Sequence, residues 1–308
     1  MKNIIEVRNL TKYYGKTLAV DGIDFDVKKG EIFGFLGPNG AGKSTTINML
    51  CTIIGKSKGE LLIDGDDVFK KQEEVRKKIG IVFQERTLDE KLTAKENLYI
   101  HGRLYNIPKS KINERIEKVL KVVELSAREN DLVSSFSGGM KRRLEIARGL
   151  MHYPKVLFLD EPTTGLDPQT RIHVWEYLLK LRKKYKTTIF LTTHYMDEAE
   201  ICDRIAIIDQ GKIVVCDTPQ KLKGDLATKI VRFKVDDKKN AIQLINKEFG
   251  YKLIETNEGF LEIEVEGKPT EFIVGFSKRY KGNMSYLEII KPTLNDVFIN
   301  ITGKDIRE

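Results

Sequence analysis

The clearest chemistry in this 308-residue chain lies in Gly37-Pro38-Asn39-Gly40-Ala41-Gly42-Lys43-Ser44-Thr45, which matches G-x-x-x-x-G-K-[ST]. A compact apolar run, Ile32–Leu36, leads in, and a helical pattern leads out. In that context small residues let successive backbone N–H groups turn onto phosphate oxygens, and the helix N-terminus adds partial positive charge. Asn39, Gly40, Ala41, Gly42, Lys43, Ser44 and Thr45 are the candidate nucleotide cradle. Lys43 is placed to reach the β- and γ-phosphates, and the Ser44 hydroxyl to ligate Mg²⁺.

An apolar run, Val156–Leu159, ends in Asp160-Glu161. Side chains along a strand alternate between its faces, so one carboxylate is expected to face the metal shell and the other an attacking water. Asp160 is assigned to Mg²⁺ and Glu161 to the general base. Two acids ending a strand are ordinary by themselves; Lys43 in the same chain gives them a partner.

Ser137-Gly138-Gly139 precedes a strong helix. Met140, Leu144, Ala147 and Met151 share its apolar face, whereas Lys141, Arg142 and Arg148 fall elsewhere. Ser137 can cap the helix, and the glycines clear its end for a second anion. Alone, those three residues read equally as a plain N-cap.

The elements that must position these groups follow from periodicity. Ile4–Leu10, Leu18–Val27 and Glu60–Ile63 read as strands broken by Asp-Gly turns. From Glu85 to about Leu132 the pattern is helical, with a Thr93/Glu96 capping box. Ile112, Ile116, Val119, Leu120 and Val123 form one apolar face. Val156–Leu159, Thr188–Thr192 and Ile205–Ile208 are continuous apolar runs with helices between them, the pattern of a parallel sheet covered on both faces. Past Gly224 the order becomes β-α-β-β-α-β with a closing helix, and Asn257-Glu258-Gly259 marks a hairpin. The expected fold is α/β: a P-loop core with a mixed sheet, an antiparallel β subdomain and a helical subdomain (about 85–150), over residues 1–223. A small α+β ferredoxin-like domain follows over 224–308.

Bulk properties narrow the classes. The formal net charge is +8 and the pI about 9.1, but the basic clusters are short and carry no interleaved aromatics, so a solvated surface is favoured over nucleic acid. Cys51, Cys202 and Cys216 are odd in number with no C-x-x-C, against a disulfide framework or a zinc site. The N-terminus meets charge before a signal-peptide core could form. The longest uncharged run, Ser44–Gly55, is twelve residues, short of the ~18 a spanning helix needs. A membrane role therefore requires another subunit, with this chain peripheral on the cytoplasmic face.

Taken in order, Tyr14, the phosphate loop, Gln84, Phe136-Ser137-Gly138-Gly139-Met140, Asp160-Glu161, Gly165-Leu166-Asp167 and His194 resemble the nucleotide-binding subunit of ABC transporters over about Ile4 to Pro219. The wording of Leu191–Glu200 and of Pro292–Phe298 is similar to one branch, the ATPase subunits of daunorubicin-type drug and antibiotic exporters, which carry a comparable C-terminal domain. Met140, where many ABC proteins have Gln, suits that branch; Cys216-Asp217 departs from its usual turn.

The resemblance implies roles. Tyr14 would stack on adenine, and Gln84 would touch Mg²⁺ and the attacking water and report nucleotide state to a membrane subunit. Ser137, Gly138 and Gly139 would hold the γ-phosphate of ATP on the opposite subunit. Asp167 would cross the dimer interface, and His194 would contact the γ-phosphate. The implied protein is an ATPase using ATP and Mg²⁺, paired with a polytopic membrane permease and a second ATPase subunit. ATP is favoured over GTP because Asn246-Lys247-Glu248-Phe249 stops short of a guanine-reading N-K-x-D. The competing class is a soluble ABC-type mechanoenzyme acting on nucleic acid or ribosomes, supported by the charge but lacking coiled-coil inserts or tandem cassettes. A third, a regulatory module without turnover, is weakened by the intact Glu161 and His194. His101, His152 and His173 read as structural.

Overall fold

Half-apolar alternation and tight turns build the first layer. In the computed structural model, which describes residues 2–85, 87–225 and 228–303, β1 (Asn3–Tyr14) and β2 (Thr17–Lys28) form an antiparallel hairpin through Gly15. β3 (Ile32–Leu36) then enters the central sheet with every residue buried, and the phosphate loop joins it to α1 (Lys43–Leu50). β4 (Lys58–Ile63) and the short β5 (Asp66–Asp67) return to the first layer, giving a four-stranded sheet ordered β2-β1-β4-β5.

After α2 (Gln72–Lys78), β6 (Ile79–Val82) starts the far edge of the central sheet. Neither α2 nor β6 stood out in the sequence, because α2 buries only Val75 and β6 is four residues long with Gly80 second. The helical stretch contains α3 (Ala94–Leu104), α4 (Lys109–Val122) and α5 (Gly138–Gly149). The Thr93/Glu96 capping box forms as its T-x-x-E spacing predicts, and Ile112, Ile116, Val119 and Leu120 are the buried face of α4.

The remaining strands, β7 (Val156–Asp160), β8 (Thr188–Thr193), β9 (Arg204–Asp209) and β10 (Lys212–Asp217), complete a sheet ordered β10-β9-β3-β8-β7-β6. It is parallel except for β10, so the sheet is mixed as expected. α6 (Pro168–Tyr185) and α7 (Met196–Ile201) connect its strands. Between this sheet and the first lies a ring cluster: Phe190 has centroids 6.0, 5.7, 5.4 and 5.5 Å from Phe25, Phe33, Phe35 and Phe158. Phe190 is fully buried. Phe190→Ala is therefore expected to lower stability by about 3–5 kcal/mol, read from urea unfolding, because the rings around it cannot collapse into the void.

His101 and His152 pack with Tyr105, whose ring stacks on His152 at 3.9 Å. Burial pushes both histidines down to about 4, so both are neutral at pH 7, in keeping with a structural role. The three cysteines are free.

The chain divides into two units, Met1–Asp217 and Thr218–Glu308. In the second unit α8 (Pro219–Asp225) packs against the last helix, α11 (Leu294–Thr302). In this second unit β11 (Thr228–Val235), α9 (Lys238–Glu248), β12 (Leu253–Glu255), β13 (Leu261–Glu266), α10 (Pro269–Arg279) and β14 (Met284–Ile290) follow the β-α-β-β-α-β order. Their antiparallel sheet, ordered β12-β13-β11-β14, has the ferredoxin-like arrangement. Phe233, Phe272 and Phe276 fill its core.

Candidate nucleotide site

β3 ends against the phosphate loop, and the loop turns sharply because glycine permits it. A Cβ on Gly37 would stand 2.3 Å from the Ile208 carbonyl, and Gly40 and Gly42 have φ of 81° and 105°. The residues around a cleft of about 180 Å³ are Ala19, Asn39, Gly40, Gly42, Lys43, Ser44, Thr45, Gln84 and Glu161. No side chain caps α1, so the N–H groups of its first turn are left for an anion. Ala41 is placed differently: its side chain is buried and its N–H is bonded to the Pro38 carbonyl, so it braces the loop from beneath.

Lys43 is 4% exposed and donates to the Gly37 and Pro38 carbonyls at 2.8 and 3.1 Å, with Glu161 Oε1 at 3.5 Å. Burial lowers its pKa from the usual range, opposed by the Glu161 and Asp160 carboxylates. Asp160 accepts from Thr192 Oγ1 at 2.5 Å, while burial raises its pKa, opposed by Thr192, Lys43 and Ser44.

Strand alternation is not what separates the two acids. β7 ends at Asp160, and Glu161 lies beyond it in the left-handed region at φ 45°. Its N–H is held by the Thr192 carbonyl and hydroxyl at 3.2 and 3.0 Å. This turn brings the Glu161 carboxylate beneath the cleft, where Gln84 Nε2 and Thr164 Oγ1 each donate to it at 3.2 Å. His194 Nδ1 lies 3.3 Å from Glu161 Oε1 but off the line of a hydrogen bond, leaving a buried ring nitrogen without a partner. A carboxylate ringed by a cation, an amide and an imidazole can accept a proton from water poised at a γ-phosphate.

The donor set also fits a hard divalent cation. Ser44 and Gln84 line the cleft, and Ser44 is close enough to Asp160 to bear on its protonation. Among the described residues no group of three His, Cys, Asp or Glu side chains forms a metal cage, so such an ion would complete its shell with phosphate oxygens and water.

Tyr14, Ser137, Gly138, Gly139 and Asp167 are not among the residues around this cleft. Tyr14 is exposed at the end of β1 with Lys12 over its ring. Ser137 caps α5 through the Met140 N–H, and Asp167 caps α6 through the Thr170 N–H. Gly139 is required for packing as well: a Cβ there would meet Thr170 Cγ2 at 2.4 Å. Sequence reasoning missed Thr192 and Thr164, which hold the acids, and Glu198, a buried carboxylate bonded by Thr163, Thr193 and Trp175. It also set Lys141 and Arg142 off the packed face of α5, yet both are buried.

A glycine-rich loop at the carboxyl end of a buried parallel strand, facing an acid that ends a neighbouring region of the same sheet, defines a P-loop nucleotide hydrolase. A family model described as ABC transporter matches residues 20–164. The linearmycin resistance ATP-binding protein LnrL of Bacillus subtilis (strain 168) is 38% identical, with 99% of this chain and 100% of that protein covered. The daunorubicin/doxorubicin resistance ATP-binding protein DrrA of Streptomyces peucetius is 41% identical, with 97% and 92% covered. A dimeric ATP-binding cassette, MJ0796, in a post-hydrolysis state with ADP and Pi superposes with a TM-score of 0.63 at 29% identity, covering 70% of this chain and 98% of that one. The chain belongs to the ATP-binding subunits of ABC transporters. It is an ATPase homologous to the ATP-binding proteins of drug and antibiotic resistance.

Proposed function

We propose that this ATPase drives a membrane exporter of drugs, antibiotics or lipid-like compounds by closing as a dimer over two molecules of MgATP. The observation that carries the reading is the separation of two anion-binding features within one chain. The loop cleft holds Lys43, Gln84 and Glu161, while Ser137–Gly139 stand elsewhere at an α5 end that no acidic residue occupies in its first turn. A second chain, turned to face the first, brings its α5 end to the open side of this nucleotide, with Asp167 at the interface and Tyr14 on the adenine. Two polyanions between loops and helix ends supply the attraction, and hydrolysis removes it. When bound, Mg²⁺ neutralises charge on the transferring phosphoryl group; Ser44, Asp160 and Gln84 would hold it. Glu161 takes the proton of the attacking water, and His194 and Gln84 fix the water's position.

Among the described residues no helix is long and apolar enough to cross a membrane, so transport needs a membrane-spanning partner. The helical region leaves Tyr99, Ile100, Leu104 and Leu132 exposed, and with the Gln84 loop this apolar surface would receive a short cytoplasmic helix of that partner. The test is affinity purification of tagged Glu161→Gln protein from gently solubilised native membranes with ATP. Recovery of a stoichiometric polytopic membrane protein is expected. Recovery only from the soluble fraction, with ribosomes or nucleic acid, would replace this reading with a soluble mechanoenzyme.

A further inference from the structure

Arg142 and Glu145 are almost fully buried charges, at 7% and 1% exposure, on a helix that also buries Lys141 and packs its other buried positions through Leu144, Ile146, Ala147 and Gly149. A guanidinium has five N–H donors, and all five of Arg142 are used. Nε donates to the Pro162 carbonyl at 2.6 Å. Nη1 donates to the Phe83 carbonyl at 2.5 Å and to Glu145 Oε2 at 2.9 Å. Nη2 donates to the Asp160 and Glu161 carbonyls at 3.2 and 3.3 Å. Glu145 Oε1 accepts from the Thr87 N–H at 2.9 Å, and Arg148 Nη1 donates to the Thr87 carbonyl at 2.7 Å.

We propose that Arg142 is a positioning residue for hydrolysis: its planar fan fixes the carbonyls on both sides of the strained Glu161 and the carbonyl preceding Gln84, holding the two catalytic side chains in register. This rests on the roles of Glu161 and Gln84 proposed above. The geometry has a physical logic. Glu161 sits at φ 45°, a conformation that persists only when its surroundings impose it. Thr192 secures its N–H, and Arg142 secures its carbonyl and both neighbouring ones. The segment carrying Gln84 is held at Phe83 by Arg142 and at Thr87 by Glu145 and Arg148. One helix, α5, thus anchors both flanks of the site, and the same helix is capped by Ser137.

The test is Arg142→Lys in the full chain. Lysine keeps the positive charge beside Glu145, so no buried acid is orphaned, but three donors on one atom cannot span carbonyls from two segments. We expect kcat to fall about tenfold to a hundredfold, as for small misplacements of reacting groups. ATP affinity and nucleotide stoichiometry per chain should stay within about twofold of wild type, a split that general misfolding does not produce. If Arg142→Lys does not fold, Arg142→Gln with Glu145→Gln removes both buried charges together and is read the same way. A folded variant with wild-type kcat, or one losing ATP affinity in parallel with kcat, overturns the proposal. Failure of the underlying reading is distinguishable: Glu161→Gln alone would then hydrolyse ATP at the wild-type rate.

Discussion

Lys43→Ala is expected to weaken ATP binding by at least ~100-fold, the loss of about 3 kcal/mol or more from charge-assisted bonds to two phosphates. The Lys43 ammonium lies between the Gly37 and Pro38 carbonyls and Glu161, almost fully buried. Burial costs the charged form, and that cost is worth bearing only where an anion arrives. Alanine removes the cation but leaves the buried Glu161 carboxylate, which then repels the γ-phosphate. The affinity loss therefore exceeds that of a missing contact. Titration with a fluorescent ATP analogue checks it, with thermal unfolding to show that the fold persists. Near-wild-type affinity in a folded variant would remove Lys43 from phosphate binding.

Glu161→Gln should separate binding from turnover. The amide fills the same space and keeps partners in reach of Gln84 and Thr164, but it cannot take a proton. General-base catalysis contributes ~10²–10⁴-fold, so kcat should fall by about that factor. Removing a negative charge beside the γ-phosphate should leave ATP affinity equal or tighter. With hydrolysis blocked, ATP keeps bridging two chains. Light scattering after gel filtration with MgATP should show a dimer for Glu161→Gln and a monomer when ADP replaces ATP. Turnover at the wild-type rate would show that another group serves as base. A variant that is inactive yet monomeric with ATP would keep the base and discard the sandwich.

Much of this is legible in the amino-acid sequence. The phosphate loop is local: nine successive residues carry both the backbone freedom and the cation, and no distant residue need be known. The Thr93/Glu96 box and the buried face of α4 are equally local, since a capping spacing and a helical period need only neighbours in sequence. The ferredoxin-like order of the second unit followed from alternation and one hairpin turn, whereas the packing of α8 on α11 carries no such local signal.

Other features were invisible for a common reason. β6 is too short to show a period, and it is a strand because β7 pairs with it. Arg142 and Glu145 look like surface charges under helical periodicity, because the pattern counts apolar residues and cannot see carbonyls arriving from other segments. Glu161 looked like the next residue of a strand, whereas Thr192 and Arg142 hold it in a left-handed turn.

By itself, then, the sequence marked which groups are candidates for phosphate and which acids for proton transfer, because those properties reside in residue type and short spacing. Only the tertiary structure decided how the acids are aimed and what holds them. Their orientation comes from hydrogen bonds between residues far apart in the chain, and such bonds exist only once the sheet and α5 have packed.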